Sequence, residues 1–198
     1  MKKNPTIILR MTNSCNLNCS YCYDKSNHIN PQKENLKVIN NMNMLVESID
    51  KILMNKNCKD KIIFHGGEPL LIDAITYEKL ILKLIELNPN IKLSIQTNGT
   101  LLTKEHIDVF KKYNVSIGIS LDGYNEEMNK CRVYANGKNT FNIVMKKIEL
   151  LKNENAKFGL IMSLSKKILG HEQELYDFIA QNNLKCNIRP IFISENRK

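Results

Sequence analysis

Three cysteines, Cys15, Cys19 and Cys22, fall within the stretch MTNSCNLNCSYCYD, directly after an apolar run. Thiols at this spacing on one loop can wrap three thiolates round a single centre. A tetrahedral zinc site needs four donors, and His28 is a candidate fourth. A [4Fe–4S] cluster has four irons, so three cysteines leave one open to a non-protein ligand, and an open iron is a chemical site. Thiolates suit either chemistry, and the spacing alone leaves both readings open. The amino terminus, MKKNPTIILRM, has a short basic start but no signal peptide, and no run is long enough to span a membrane. The expected compartment is therefore the cytoplasm, where crowded thiols bind metal or do catalysis rather than form disulfides. Cys58, Cys131 and Cys186 lie far from the cluster in sequence. Cys186 reads as an inert core cysteine opening a buried strand.

Short apolar runs alternate with longer amphipathic ones along the chain. Strands are predicted over 6–11, 61–66, 91–97, 115–121, 157–165 and 185–193. A helix is predicted over 33–55, where Leu36, Ile39, Met42 and Val46 recur at helical spacing. Further helices are predicted over 76–87, stopped by Asn88-Pro89, over 104–113 with Thr103 as its cap, over 142–153 and over 172–181. Six βα repeats predict an α/β fold: parallel strands with outer helices, curled by right-handed crossovers into a partial (βα)6 barrel with too few strands for a closed (βα)8 one. The 198 residues suffice for one substantial domain and show no linker.

The polar motifs all follow predicted strand ends. The cysteines follow the first strand and Gly66-Gly67-Glu68-Pro69 the second. Gln96-Thr97-Asn98-Gly99 closes the third, and Ser120 and Asp122 close the fourth. In parallel α/β sheets the carboxyl ends of the strands share one mouth. Four separate segments thus deliver polar groups to the same place.

These residues resemble a known family. Cys15 to Cys22, with Tyr21 before the last cysteine, is similar to the cluster motif of the radical S-adenosylmethionine enzymes. Gly66-Gly67-Glu68-Pro69 resembles their second motif, and SIQTNGTLL at 94–102 and VSIGISLDG at 115–123 resemble their third and fourth strand motifs. CRVYANGKNTFNIVMKKIELL, 131–151, is similar to a segment of the peptide- and protein-modifying branch, which includes the anaerobic sulfatase maturases. The resemblance covers most of residues 5–165.

It implies that Cys15, Cys19 and Cys22 ligate three irons of a [4Fe–4S] cluster and that S-adenosylmethionine chelates the fourth. Reductive cleavage would then give a 5′-deoxyadenosyl radical that abstracts hydrogen from a peptide or protein side chain. Tyr21 would contact the adenine, or simply close the barrel top. Gly66 and Gly67 would let backbone approach the methionine amino group, and Glu68 would attract that ammonium or order the loop. Ser120 and Asp122 would contact the cofactor's carboxylate and ribose, with Gln96 and Asn98 as further candidates at the rim. Arg132 would pair with the carboxylate, and Ser163 is another ribose or carboxylate candidate. Arg189 is expected at the mouth, since an unpaired arginine in a core is costly. The implied partners are a peptide or protein substrate and a reductase, flavodoxin or ferredoxin as electron donor. No catalytic acid or base stands out.

The chain departs from the family in two places. Many relatives carry a His-Asp pair where this sequence has Met128-Asn129, which puts that pair's part in shaping the loop in doubt. Relatives also continue for well over a hundred residues, usually with a cysteine-rich domain holding auxiliary clusters, so the resemblance implies a radical core over 1–198 that is a fragment or a minimal enzyme. Two other readings compete: an activating enzyme that places a glycyl radical on a partner, against which the GKNTF segment leans, and a non-catalytic zinc-binding protein. The formal net charge of +9 raises nucleic acid as a partner. The lysines are spread beside acidic residues on amphipathic segments, however, which is the pattern of solvated helix faces and does not favour nucleic-acid binding.

Overall fold

A computed structural model describes residues 6–25, 41–54 and 61–190. Six parallel strands form one sheet in chain order: β1 Ile7–Arg10, β2 Lys61–His65, β3 Lys92–Thr97, β4 Ser116–Ser120, β5 Phe158–Leu164 and β6 Cys186–Pro190. Among the described residues each strand pairs only with its neighbours in sequence, so β1 and β6 are the edges of this sheet, as in an incomplete barrel. The helices α1 Met42–Leu53, α2 Ala74–Leu87, α3 Lys104–Lys112, α4 Phe141–Asn153 and α5 Glu172–Gln181 fill the crossovers.

Alternation along the strands sets the two faces. Ile62, Phe64, Leu93, Ile95, Ile117, Ile119 and Leu160 are buried and join Leu80, Leu84, Ile107, Phe110, Ile148 and Leu151 of the helices in one core. Each such side chain contributes about 1.5–3 kcal/mol of burial. The residues between them, including His65, Gln96, Ser120, Ile161 and Ser163, are only half-buried and belong to the other face. The apolar stripe therefore glues helices to the sheet, and the polar stripe is left for a site.

Element ends differ from expectation where a local cap decides them. Helix α2 begins two residues earlier than predicted because Asp73 accepts a hydrogen bond from the Thr76 amide at 2.7 Å. Thr103 caps α3 through His106 as expected. Of the predicted helix over 33–55, residues 33–40 lie outside the described residues, as do His28, Cys58 and positions 191–193 of the last strand. Cys186 corrects one expectation: it is half-buried, and the rest of β6 is exposed rather than buried. Apolar composition marked this run as a core strand, but its place at the sheet edge leaves it uncovered. Among the described residues no helix is long and apolar enough to cross a membrane.

Candidate cofactor and cluster site

The loop that follows β1 is held on three sides by backbone and side-chain hydrogen bonds. On one side the Gly67 amide donates to the Thr12 carbonyl and the Glu68 amide to the Ser14 carbonyl, both at 2.8 Å. On another, the Asn18 amide donates to Val133 O at 2.7 Å and the Ser20 amide to Cys131 O at 3.0 Å. On the third, Asn16 donates to Thr100 Oγ1 and accepts from Asn98 Nδ2, each at 2.9 Å. The cysteine loop is thus a built part of the fold, clamped by the turns after β2 and β3 and by the segment before α4.

Cys15, Cys19 and Cys22 line one cavity of about 260 Å³ at the carboxyl ends of the strands. Burial pushes the Cys15 thiol up to about 12, with Glu68 and the other two cysteines adding to the rise. Burial raises Cys19 as well, opposed by the positive charge of Arg132. The protein by itself does not favour thiolates here; a cationic centre that ionises coordinating thiols does. A single zinc draws its sulfurs to about 2.3 Å from one point. Among the described residues no three His, Cys, Asp or Glu side chains converge to hold one ion in that way. Three thiols on the wall of one cavity are donors for a metal ion or for a multi-iron group.

The Gly-Gly-Glu-Pro turn meets the cysteine loop directly. A Cβ on Gly66, whose φ is +135°, would stand 2.5 Å from the Thr12 carbonyl oxygen, and one on Gly67 would stand 2.1 Å from that of Ser14. Both positions therefore require glycine, for the approach of the two loops to each other. Glu68 is 1 % exposed. Its carboxylate accepts from the Leu70 amide at 2.9 Å, the Asn98 amide at 2.8 Å and the Thr97 hydroxyl. Of the two roles weighed for Glu68, these bonds supply the ordering of the loop. Asn98 is likewise bonded to Asn16, and its Oδ1 accepts from Thr100.

A second knot forms around Asp122. This carboxylate accepts from Arg132 Nε at 3.0 Å, from the Ser163 amide at 2.9 Å and from the Tyr21 hydroxyl. Asp122 does not itself line the cavity, but Tyr21, Arg132 and Ser163 do. The Arg132 guanidinium lies 5.7 Å from the centre of the Tyr21 ring and its Nη1 is 4.0 Å from Cys19 Sγ. Arg132 is therefore no solvated surface arginine. Burial works against its charge, but Asp122, Tyr21 and Cys19 together hold it firmly protonated. Burial also raises the Tyr21 hydroxyl, so that it stays a donor.

Gly66, Gly67, Glu68, Gln96, Asn98 and Ser120 also border the cavity, so among the described residues expected to bind the cofactor or cluster only Asp122 stands behind its wall. His65 borders it too and was passed over in the sequence, although it is the last residue of β2 on the polar face. Asn129 was also missed as a contributor. It is fully buried, accepts from the Asp122 amide at 3.0 Å and donates to Thr140 Oγ1 at 3.1 Å, so it shapes the loop at the position where the His-Asp pair was in doubt.

The model of the Radical SAM superfamily matches residues 9–179. A cysteine-type anaerobic sulfatase-maturating enzyme of Clostridium novyi (strain NT) is 32% identical over 193 residues, covering 93% of this chain and 50% of that enzyme. A serine-type anaerobic sulfatase-maturating enzyme of Bacteroides thetaiotaomicron is 32% identical over 173 residues, covering 84% of this chain and 41% of its own length. The fold is similar to a solved structure of native anSMEcpe with bound AdoMet and Cp18Cys peptide, with a TM-score of 0.77 at 23% identity, over 98% of this chain and 53% of that one. The chain thus spans about half the length of these relatives.

Proposed function

The chain belongs to the Radical SAM superfamily, and from that premise we propose that it binds a [4Fe–4S] cluster and S-adenosylmethionine in the cavity above the sheet and uses them to abstract hydrogen from a peptide or protein side chain. The observation that carries this reading is the convergence of Cys15, Cys19, Cys22, the Gly66-Gly67 turn and the Tyr21–Asp122–Arg132 knot on one cavity. When bound, the reduced cluster supplies the electron that cleaves the cofactor's C–S bond, and the cofactor supplies the carbon that takes the hydrogen.

Everything else falls to the chain's own residues. Cys15, Cys19 and Cys22 hold three irons. The Gly66-Gly67 turn, fixed against Thr12 and Ser14, forms the wall nearest the cysteine loop. Arg132, kept charged by Asp122, would pair with the cofactor's carboxylate. The Tyr21 ring, pinned through its hydroxyl, offers a flat apolar surface for the adenine. Ser120, Ser163 and Gln96 offer hydroxyl and amide groups along the sheet for the remaining polar atoms. A side-chain substrate is supported by the sulfatase-maturating relatives and by the peptide bound in the solved anSMEcpe structure. An external one-electron donor completes the scheme.

The test is product analysis. The anaerobically reconstituted, dithionite-reduced protein should convert S-adenosylmethionine to 5′-deoxyadenosine and methionine, and Cys15→Ala, Cys19→Ala and Cys22→Ala should each abolish it. No 5′-deoxyadenosine from a cluster-loaded wild type would refute the proposed activity.

A further inference from the structure

The charged groups bordering the cavity are matched one by one, except at its outer edge. Asp24 pairs with Arg10. Arg132 pairs with Asp122 at 3.0 Å. Glu68 is buried and takes three hydrogen bonds from the loop it orders. Arg189 also borders the cavity. It sits on the exposed edge strand β6, in register with Ser163. Among the described residues no carboxylate or other group pairs with it.

The groups expected in the cavity do not supply that partner. The cluster would bear the negative charge of its thiolates, and Arg132, whose Nη1 lies 4.0 Å from Cys19 Sγ, is the cation beside it. The cofactor's carboxylate has Arg132 for its partner. Arg189 remains as a cation at the open side of the sheet, next to the Ser163 whose amide is fixed on Asp122 at 2.9 Å. A planar fork of donors in that place matches a carboxylate presented from outside.

We propose that Arg189 is a substrate-recognition residue that binds a carboxylate of the substrate, so that the chain selects a peptide segment with an Asp or Glu near the reacting residue. This rests on the radical S-adenosylmethionine reading and names the substrate class of the same site. A carboxylate could reach Arg189 from the cofactor instead, and the experiment separates the two sources.

A random peptide library is panned anaerobically against the cluster-loaded full chain with S-adenosylmethionine present, using the wild type, Arg189→Gln and Lys92→Gln. The last removes one positive charge from the far end of β3, where Lys92 is exposed. In parallel, the change in the cluster's EPR spectrum on adding S-adenosylmethionine is recorded for each. Wild type and Lys92→Gln should enrich Asp or Glu about tenfold at one position, the factor expected of a single good ionic contact. Arg189→Gln should lose that enrichment while keeping the spectral response to the cofactor. No acidic enrichment by the wild type, or equal enrichment by Arg189→Gln, overturns the proposal. So does loss of the cofactor response in Arg189→Gln, which would make Arg189 a ligand of the cofactor's own carboxylate. Absence of the cofactor response in the wild type fails the underlying reading instead, and peptide enrichment is scored independently of it.

Discussion

Asp122 and Arg132 form a buried ion pair at 3.0 Å, with only 6 % and 13 % of their side chains exposed. The pair joins the end of β4 to the segment before α4, and through Tyr21 it reaches the cysteine loop. Breaking a buried pair from one side leaves the other charge without a partner, which costs about 3–5 kcal/mol. Asp122→Asn keeps the shape and removes the charge. It should lower the unfolding free energy by about 3 kcal/mol in urea titrations and weaken S-adenosylmethionine binding, although Asp122 does not border the cavity. An Asp122→Asn protein with wild-type stability would contradict this role.

Gly67 separates contact from conformation. A Cβ there would meet the Ser14 carbonyl at 2.1 Å, whereas a Cβ on Gly137, at φ +82°, meets nothing within 4 Å. Gly137→Ala should cost only about 1 kcal/mol, the price of a left-handed residue. Gly67→Ala must push two loops apart, and should cost more than Gly137→Ala and reduce the iron and sulfide bound after reconstitution. Equal effects of the two on melting temperature and iron content would show that the close approach of the loops is unimportant.

Glu68 provides two oxygens for three donors. In Glu68→Gln one oxygen becomes an NH2 group, which leaves at least one buried donor facing another donor. The expected loss is about 1–3 kcal/mol, measured by chemical denaturation of the apo chain. A neutral substitution would mean that the carboxylate is held protonated, the direction in which burial moves it.

His65 predicts a pH dependence. Burial, and after it the charge of Arg10, lowers its pKa from the usual 6.5, and its Nδ1 accepts the Gly66 amide at 2.8 Å, which requires that nitrogen unprotonated. The unfolded chain therefore binds more protons than the folded one between the lowered value and 6.5, and stability falls as pH drops through that window. Melting temperatures at several pH values from neutral to mildly acidic should show a steeper loss for the wild type than for His65→Asn, whose Oδ1 can accept the same amide. Parallel curves would contradict the assignment.

The sheet and the position of its mouth were legible in the sequence because strand alternation and helix periodicity are local patterns. That Cys15, Cys19 and Cys22 share one cavity was legible because they lie within eight residues on one loop, while their spacing alone left zinc and a cluster both open. The clamps on that loop were not legible. Asn129 binds Asp122 across a turn, Asn16 binds Asn98 from another strand end, and the strand-like pairing of Leu17 with Tyr134 joins distant segments. Such contacts depend on three-dimensional closure, which no short-range pattern encodes. The two glycines were marked for a close approach to a ligand; their close approach to Thr12 and Ser14 was not legible, because it joins two loops far apart in sequence. For β6, composition suggested burial, and only the strand order reveals an edge.

We propose that Cys15, Cys19 and Cys22 would hold a [4Fe–4S] cluster at the cavity they line and leave one iron for S-adenosylmethionine. The most direct measurement is the EPR spectrum of the reconstituted, reduced chain with and without S-adenosylmethionine. The expected result is a [4Fe–4S]⁺ signal whose g-values shift when S-adenosylmethionine is added. A cluster signal that ignores the cofactor, or a colourless protein holding stoichiometric zinc, would contradict it.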